Sequence, residues 1–161
     1  YWDEIRSAAA EQEIDPFLMA AIIRQESGWD PSIISSAGAV GLMQMMPKEA
    51  AAFGELAGLG REVTRQDLFD ARINLKVGAA EIREKLDAMN GNQLLAIASY
   101  NAGENAVRSW TRKTPTEDRD LFIDSIPYSE TRLYVMVVTR NLYEYRRIYG
   151  QPGEQGVRTS R

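Results

Sequence analysis

A chain of 161 residues with net charge −4, from 19 basic and 23 acidic side chains, fits one domain with a sizeable core, and its scattered basic residues argue against a general nucleic-acid binder. It contains neither cysteine nor histidine, which removes disulfides, thiolate nucleophiles, Ser-His-Asp and Cys-His pairs and nearly every ordinary zinc site, and leaves carboxylates, hydroxyls, amides and lysine as catalysts. No apolar run approaches a membrane span, and the chain opens at Tyr1 without a signal-peptide pattern, so a processed or excised domain is expected, in a compartment that the lack of cysteine leaves open.

Helical punctuation recurs along the chain while alternating strand patterns are hard to find, which predicts an almost entirely α fold. Trp2, Ile5, Ala8 and Ala9 share one face of a first short helix. "IDPFLMAAIIRQES" predicts a second, with Asp15 as N-cap, Pro16 at the first helical position and Asp30-Pro31 blocking its continuation. "SSAGAVGLMQMMP" reads as a tight loop feeding a short helix that Pro47 ends, and "PKEAAAFG" restarts a helix that Gly54 closes. A loop runs to about Asp70. Ile73, Val77, Ala80, Leu86 and Met89 then mark a long amphipathic helix stopped by "NGN". "QLLAIASYNAG" is a further helix ending at Gly103, and "ENAVRSW" a short one before a charged connection containing Pro115. Ser129 is the expected cap of a last helix, whose Val137, Val138, Leu142, Tyr145 and Ile148 recur at helical spacing up to Gly150. Residues 1–150 are therefore read as one domain and 151–161 as a frayed tail.

Met19, Ile22, Ile23 and Glu26 lie three or four residues apart, so Glu26 extends the buried stripe of the second helix. Desolvation raises a carboxyl pKa, and a glutamate kept protonated near neutral pH can donate its proton to a leaving-group oxygen, as glycosidic cleavage requires. The alternative from the residues alone is that Glu26 reaches solvent or pairs with Arg24.

The blocks "ESGWDP", "GLMQMMP", "ASYNAG" and "IPYSETRLYV" resemble, in order and spacing, the soluble lytic transglycosylases, which have a lysozyme-like helical domain with a substrate cleft. That resemblance runs from Glu26 to Val135 and implies a bacterial enzyme that cuts the MurNAc-GlcNAc β-1,4 bond of peptidoglycan and leaves a 1,6-anhydro-MurNAc end. It makes Glu26 the single catalytic acid and base. It places Ser35 near that carboxyl, within reach of a hydrogen bond, against an alternative of ordinary turn chemistry. Gln44 and Met46 become cleft residues, where otherwise the methionines are core filler. Tyr100 and Asn101 fall near a helix C-terminus, the tyrosine close to Glu26; a satisfied buried tyrosine and a helix cap are the plain alternatives. Glu130 is directed into the cleft for substrate contact, or is a first-turn carboxylate favoured by the helix dipole.

The resemblance implies that Glu26 protonates the bridging oxygen and that the resulting carboxylate then takes a proton from the C6 hydroxyl of the same muramic sugar. The nucleophile is intramolecular, an orientation effect worth about 7–11 kcal/mol in well-aligned reactions. The 2-acetamido group is a further source of assistance. No metal or organic cofactor is required. The rivals are a lysozyme-like hydrolase, with Asp30, Glu49 or Glu130 as a second acid, and a noncatalytic glycan-binding envelope module. The resemblance also implies a place in the periplasm or cell envelope and peptidoglycan strands as partner, with no nucleic acid and no membrane span in this chain. The net negative charge sits awkwardly with that partner, because peptidoglycan stems are themselves anionic.

Overall fold

The computed structural model describes residues 1–150, which form eight α-helices and no strand. The frayed tail expected over 151–161 lies outside the described residues. Helix α1 (Trp2–Glu11) buries Ile5, Ala8 and Ala9, while Trp2 stays 42% exposed and stacks on Phe17 with ring centroids 5.3 Å apart. Helix α2 (Pro16–Glu26) opens as its sequence predicts: Pro16 occupies the first turn and the Asp15 carboxylate accepts the Phe17 N–H at 2.8 Å. It stops before Asp30-Pro31, because Gly28 and Trp29 turn the chain with φ of 58° and 76°.

The remaining helices are α3 (Pro47–Phe53), α4 (Ala71–Ala88), α5 (Gln93–Ala102), α6 (Glu104–Thr111), α7 (Arg119–Ser125) and α8 (Ser129–Tyr149). The core is built around α2, whose Leu18, Met19, Ile22 and Ile23 are all at most 1% exposed. Burying each such side chain stabilises the fold by about 1.5–3 kcal/mol. Helix α8 runs antiparallel to α2, since Arg146 near its end donates to Asp15 at 2.7 Å and Tyr134 near its start donates to Glu26. Helix α5 packs between α8 and α4.

Four local expectations are corrected. No helix forms in "GLMQMMP": residues 33–46 make a loop pinned by isolated bridges, Ile34 to Val40 and Val40 to Met45, and Pro47 begins α3 instead of ending a helix. Positive φ at Gly38, Gly41 and Gln44 is incompatible with a helix there. The charged connection after α6 contains α7, capped by Asp118 and held by buried Phe122 and Ile123. Ser129 is the first residue of α8 and makes no side-chain cap, the N-cap being Tyr128. Ile148 is 54% exposed, and the buried stripe of α8 runs instead through Thr131, Tyr134, Val135, Val138, Thr139 and Leu142.

The bridged loop is fastened to α4 by Asn74, which is fully buried. Its amide donates to the carbonyls of Val40 and Leu68, each at 2.9 Å, and its Oδ1 accepts the Met43 N–H at 2.9 Å. Gly41 is required at this crossing, because a Cβ there would lie 2.4 Å from the Asn74 amide nitrogen and 2.6 Å from the Leu68 carbonyl, on a backbone with φ of 78°. The loop is thereby positioned as one wall of a cleft.

Candidate active site

Two concavities stand out on the surface. One, of about 510 Å³, is lined by Trp2, Phe17, Ala20, Trp29, Tyr145 and Tyr149 and contains no carboxylate. The other, of about 790 Å³, is polar and gathers residues from α2, the bridged loop, α3, α4, α5 and α8. Glu26, Ser35, Gln44, Met46, Tyr100, Asn101 and Glu130, widely separated in the chain, all line this second cleft.

Glu26 is the last residue of α2, one turn beyond fully buried Ile22 and Ile23, so the helix itself carries its carboxyl into the cleft floor. Burial pushes this carboxyl above the usual glutamate range, and a hydrogen bond from Tyr134 partly offsets the rise. That bond, from the Tyr134 hydroxyl to Glu26 Oε1, is 2.6 Å long and holds one carboxyl oxygen in place. Tyr134 is itself buried and its own pKa is raised well above the ordinary value, so the phenol remains a donor. Arg24 does not neutralise Glu26. It is exposed and turns to Tyr145, with Nη1 3.5 Å from the hydroxyl and the guanidinium 6.0 Å from the ring centroid.

The other cleft residues are fixed largely by the loop and helix ends. Ser35 Oγ accepts the Ala39 N–H at 3.0 Å, which is turn chemistry, and makes no hydrogen bond to Glu26 among the described residues. The Gln44 amide donates to the carbonyls of Gly41 and Ile33 at 2.9 and 3.3 Å, while Met46 is the N-cap residue of α3. Tyr100 donates to the Met43 carbonyl at 2.9 Å, tying α5 to the loop. Asn101 accepts from the Thr131 hydroxyl at 2.7 Å and joins the end of α5 to the start of α8. Glu130 stands in the first turn of α8 and also lines the cleft, so the dipole and cleft readings describe the same residue.

Of the acids considered as a second carboxylate, Glu49 and Glu130 line the cleft, whereas Asp30 accepts hydrogen bonds from Ser32 at 2.8 and 2.6 Å and is not among its lining residues. Sequence reasoning missed Tyr134, Asn74 and Glu81. Glu81 is 9% exposed, lines the cleft, and is pushed up to about 7, first by burial and then by Glu49, Glu84 and Glu26, against the attraction of Lys85. Its signal was present: Glu81 follows Val77 by four residues and so continues a buried stripe, as Glu26 does.

Chemically, the arrangement offers one oriented, desolvated carboxyl at the floor of a groove long enough to collect contacts from six elements. Proton donation to a bound oxygen is what such a group does well.

Residues 3–123 match the family described as the Transglycosylase SLT domain. The soluble lytic murein transglycosylase of Escherichia coli (strain K12) is 33% identical over 151 residues, covering 93% of this chain and 23% of its own length. A putative soluble lytic murein transglycosylase of Haemophilus influenzae is 35% identical over 156 residues, covering 96% of this chain and 26% of its own. The crystal structure of the 70 kDa soluble lytic transglycosylase from Escherichia coli superposes with a TM-score of 0.88 at 33% identity, over 94% of this chain and 25% of that one. The chain thus spans about a quarter of the length of these relatives. It belongs to the SLT transglycosylase family, and its fold is the lysozyme-like helical fold of that structure.

Proposed function

We propose that this member of the SLT transglycosylase family is a peptidoglycan lytic transglycosylase, with residues 1–150 as its catalytic domain, acting in the periplasm or cell envelope. The observation that carries the reading is Glu26: a carboxyl raised by burial, held on one oxygen by Tyr134, at the floor of a cleft lined by the other motif residues.

In this reading Glu26 gives its proton to the oxygen bridging MurNAc and GlcNAc as the bond from that oxygen to C1 breaks. The carboxylate so formed takes the proton of the C6 hydroxyl, whose oxygen closes onto C1, and Glu26 is protonated again as at the start. No water is consumed. Tyr134 acts first as an orienting donor and then as a stabilising partner of the carboxylate, because a hydrogen bond to the charged form favours it. Ser35, Gln44, Met46, Tyr100, Asn101 and Glu130 shape the groove that holds the strand. Several of their polar atoms are committed to the protein, which rigidifies the walls; in this reading a strand held between rigid walls presents its own C6 hydroxyl to C1 in place of a solvent molecule.

A second reading, hydrolysis of the same bond, is favoured by one observation: Glu49, Glu81 and Glu130 bring further carboxyls into the cleft. Mass spectrometry of muropeptides released from purified sacculi separates the two. Transglycosylation yields products one water lighter than hydrolysis, and reducing-end products would establish the hydrolase. Binding without release of any product would instead identify a noncatalytic glycan-binding module.

A further inference from the structure

The proposed reaction uses one buried carboxyl of the cleft and leaves another without a task. Glu81 is nine-tenths buried on α4 and faces the same groove, yet it makes no hydrogen bond or ion pair among the described residues. Lys85, one turn further along the helix, acts on it through its charge but forms no ion pair with it: the Lys85 ammonium lies 3.0 Å from Glu84 and 3.3 Å from Glu104. The Glu81 carboxyl oxygens are not among the sealed side-chain atoms that lack a partner, so they stay open to the groove and free to meet a complement carried by a ligand.

The charges around it define that complement. Glu49 faces Glu81 from α3, Glu26 from α2 and Glu84 from α4 itself, and each pushes the Glu81 carboxyl upward; Lys85 alone pulls it down. Tyr100 contributes a neutral phenol from α5, and Glu130 adds a carboxylate from the α8 wall. Five carboxyls thus share the cleft with one ammonium that is already engaged. Among the described residues no three acidic side chains converge closely enough to hold a metal ion. The cation that suits spaced carboxylates is one that brings several N–H donors on a larger molecule, reaching them singly.

We propose that Glu81, with Glu49 and Glu84, forms a subsite for a primary ammonium group carried by the glycan strand, so that the preferred substrate is peptidoglycan bearing free amines. Two parts of such a strand supply that chemistry: a glucosamine that has lost its acetyl group, and the side-chain amine of a diamino acid in the stem peptide. The inference rests on the proposed function, in that it takes the cleft to hold peptidoglycan. It also gives the acidic composition a place, since the negative charge is gathered where a cationic group on an otherwise anionic polymer would dock.

Calorimetric titration of the whole chain tests this at about pH 7.5, where an amine is still largely cationic and the Glu81 carboxyl, raised to about 7, is largely ionised. One arm compares the glucosamine tetramer with its fully N-acetylated counterpart; the other compares a disaccharide-peptide carrying a free diamino-acid amine with the same compound acetylated on that amine. The expected result is about tenfold tighter binding of the free-amine member in at least one arm, the arm naming the source. Glu81→Gln is expected to abolish the preference. Glu55→Gln, at an exposed acid outside the cleft, is expected to retain it. Should Glu81→Gln fail to fold, the double variant Glu49→Gln, Glu84→Gln takes its place and is expected to weaken the preference. Equal binding in both arms by the unaltered chain overturns the proposal, as does a preference that survives in folded Glu81→Gln. Anhydro ends released from native sacculi, which retain their free amines, are measured in parallel. Their formation without an amine preference defeats this inference alone, whereas their absence defeats the functional reading.

Discussion

The cleft has two acid-bearing walls built by the same arithmetic, and they behave differently. On α2, Glu26 follows Ile22 by four residues; on α4, Glu81 follows Val77 by four. Both side chains are drawn into low-dielectric surroundings by the helix that carries them, and both carboxyls are raised chiefly by burial. Glu26 has a phenol fixed against one oxygen at 2.6 Å, whereas Glu81 has acids for neighbours and no hydrogen-bond partner among the described residues. Burial alone therefore makes a protonated acid but does not aim it. An aimed acid suits proton transfer, and an unaimed one in a negative field suits binding.

The sharpest way to break this contrast is to remove each carboxyl in turn. Glu26→Gln keeps the shape of the floor but cannot give a proton, and turnover of sacculi is expected to fall by about 10³-fold or more, read as released anhydro-muropeptides. Glu81→Gln is expected to act on stability instead. The Glu81 carboxyl is raised to about 7 in the folded chain from an ordinary 4.5. Its protonated form is favoured by folding, so its contribution is fully present below the unfolded pKa and is lost as pH rises through about 7. Removing the charge should leave stability nearly unchanged at about pH 4 and raise it by roughly 2–3 kcal/mol at about pH 8, in denaturant melts at the two pH values.

A smaller effect tests the aiming device. Tyr134→Phe deletes the hydrogen bond that favours ionised Glu26 and frees the carboxyl to rotate; kcat is expected to fall about tenfold and the alkaline limb of the pH profile to move upward. An alkaline limb that moves downward would mean that Tyr134 does not act through Glu26. Smallest is Ser35→Ala. Because Ser35 Oγ serves the Ala39 N–H, the change should cost about 1 kcal/mol of stability and leave the alkaline limb where it is.

The helical class, the entry to α2 and the exposure of Glu26 to the cleft are legible in the sequence because each depends on local spacing and capping. Asp15-Pro16 fixes where α2 begins, and the stripe through Met19, Ile22 and Ile23 aims Glu26. The four motif blocks carry all seven of the expected cleft residues or stand within a few positions of them, so their family resemblance reaches the site where local spacing does not. What stays hidden depends on distant partners. The Tyr134 bond spans 108 positions, and Asn74 reaches back 34 to Val40, so neither leaves a local trace. The methionine-rich loop looks helical by composition, but its bridges and positive φ values are set by Asn74 behind it. Helix α7 is only seven residues long, too short to form on its own propensity, and exists because Phe122 and Ile123 are buried by the rest of the fold. Glu81 is the exception: the rule that found Glu26 applies to it unchanged.

The mechanism requires that Glu26 keep its proton in the folded chain under conditions where an ordinary glutamate has lost it. Titration of the side-chain carboxyl carbon of Glu26 by NMR, assigned with Glu26→Gln, reads this directly. A midpoint clearly above about 4.3, the unperturbed glutamate value, is the predicted result. A midpoint at or below that value would contradict the account.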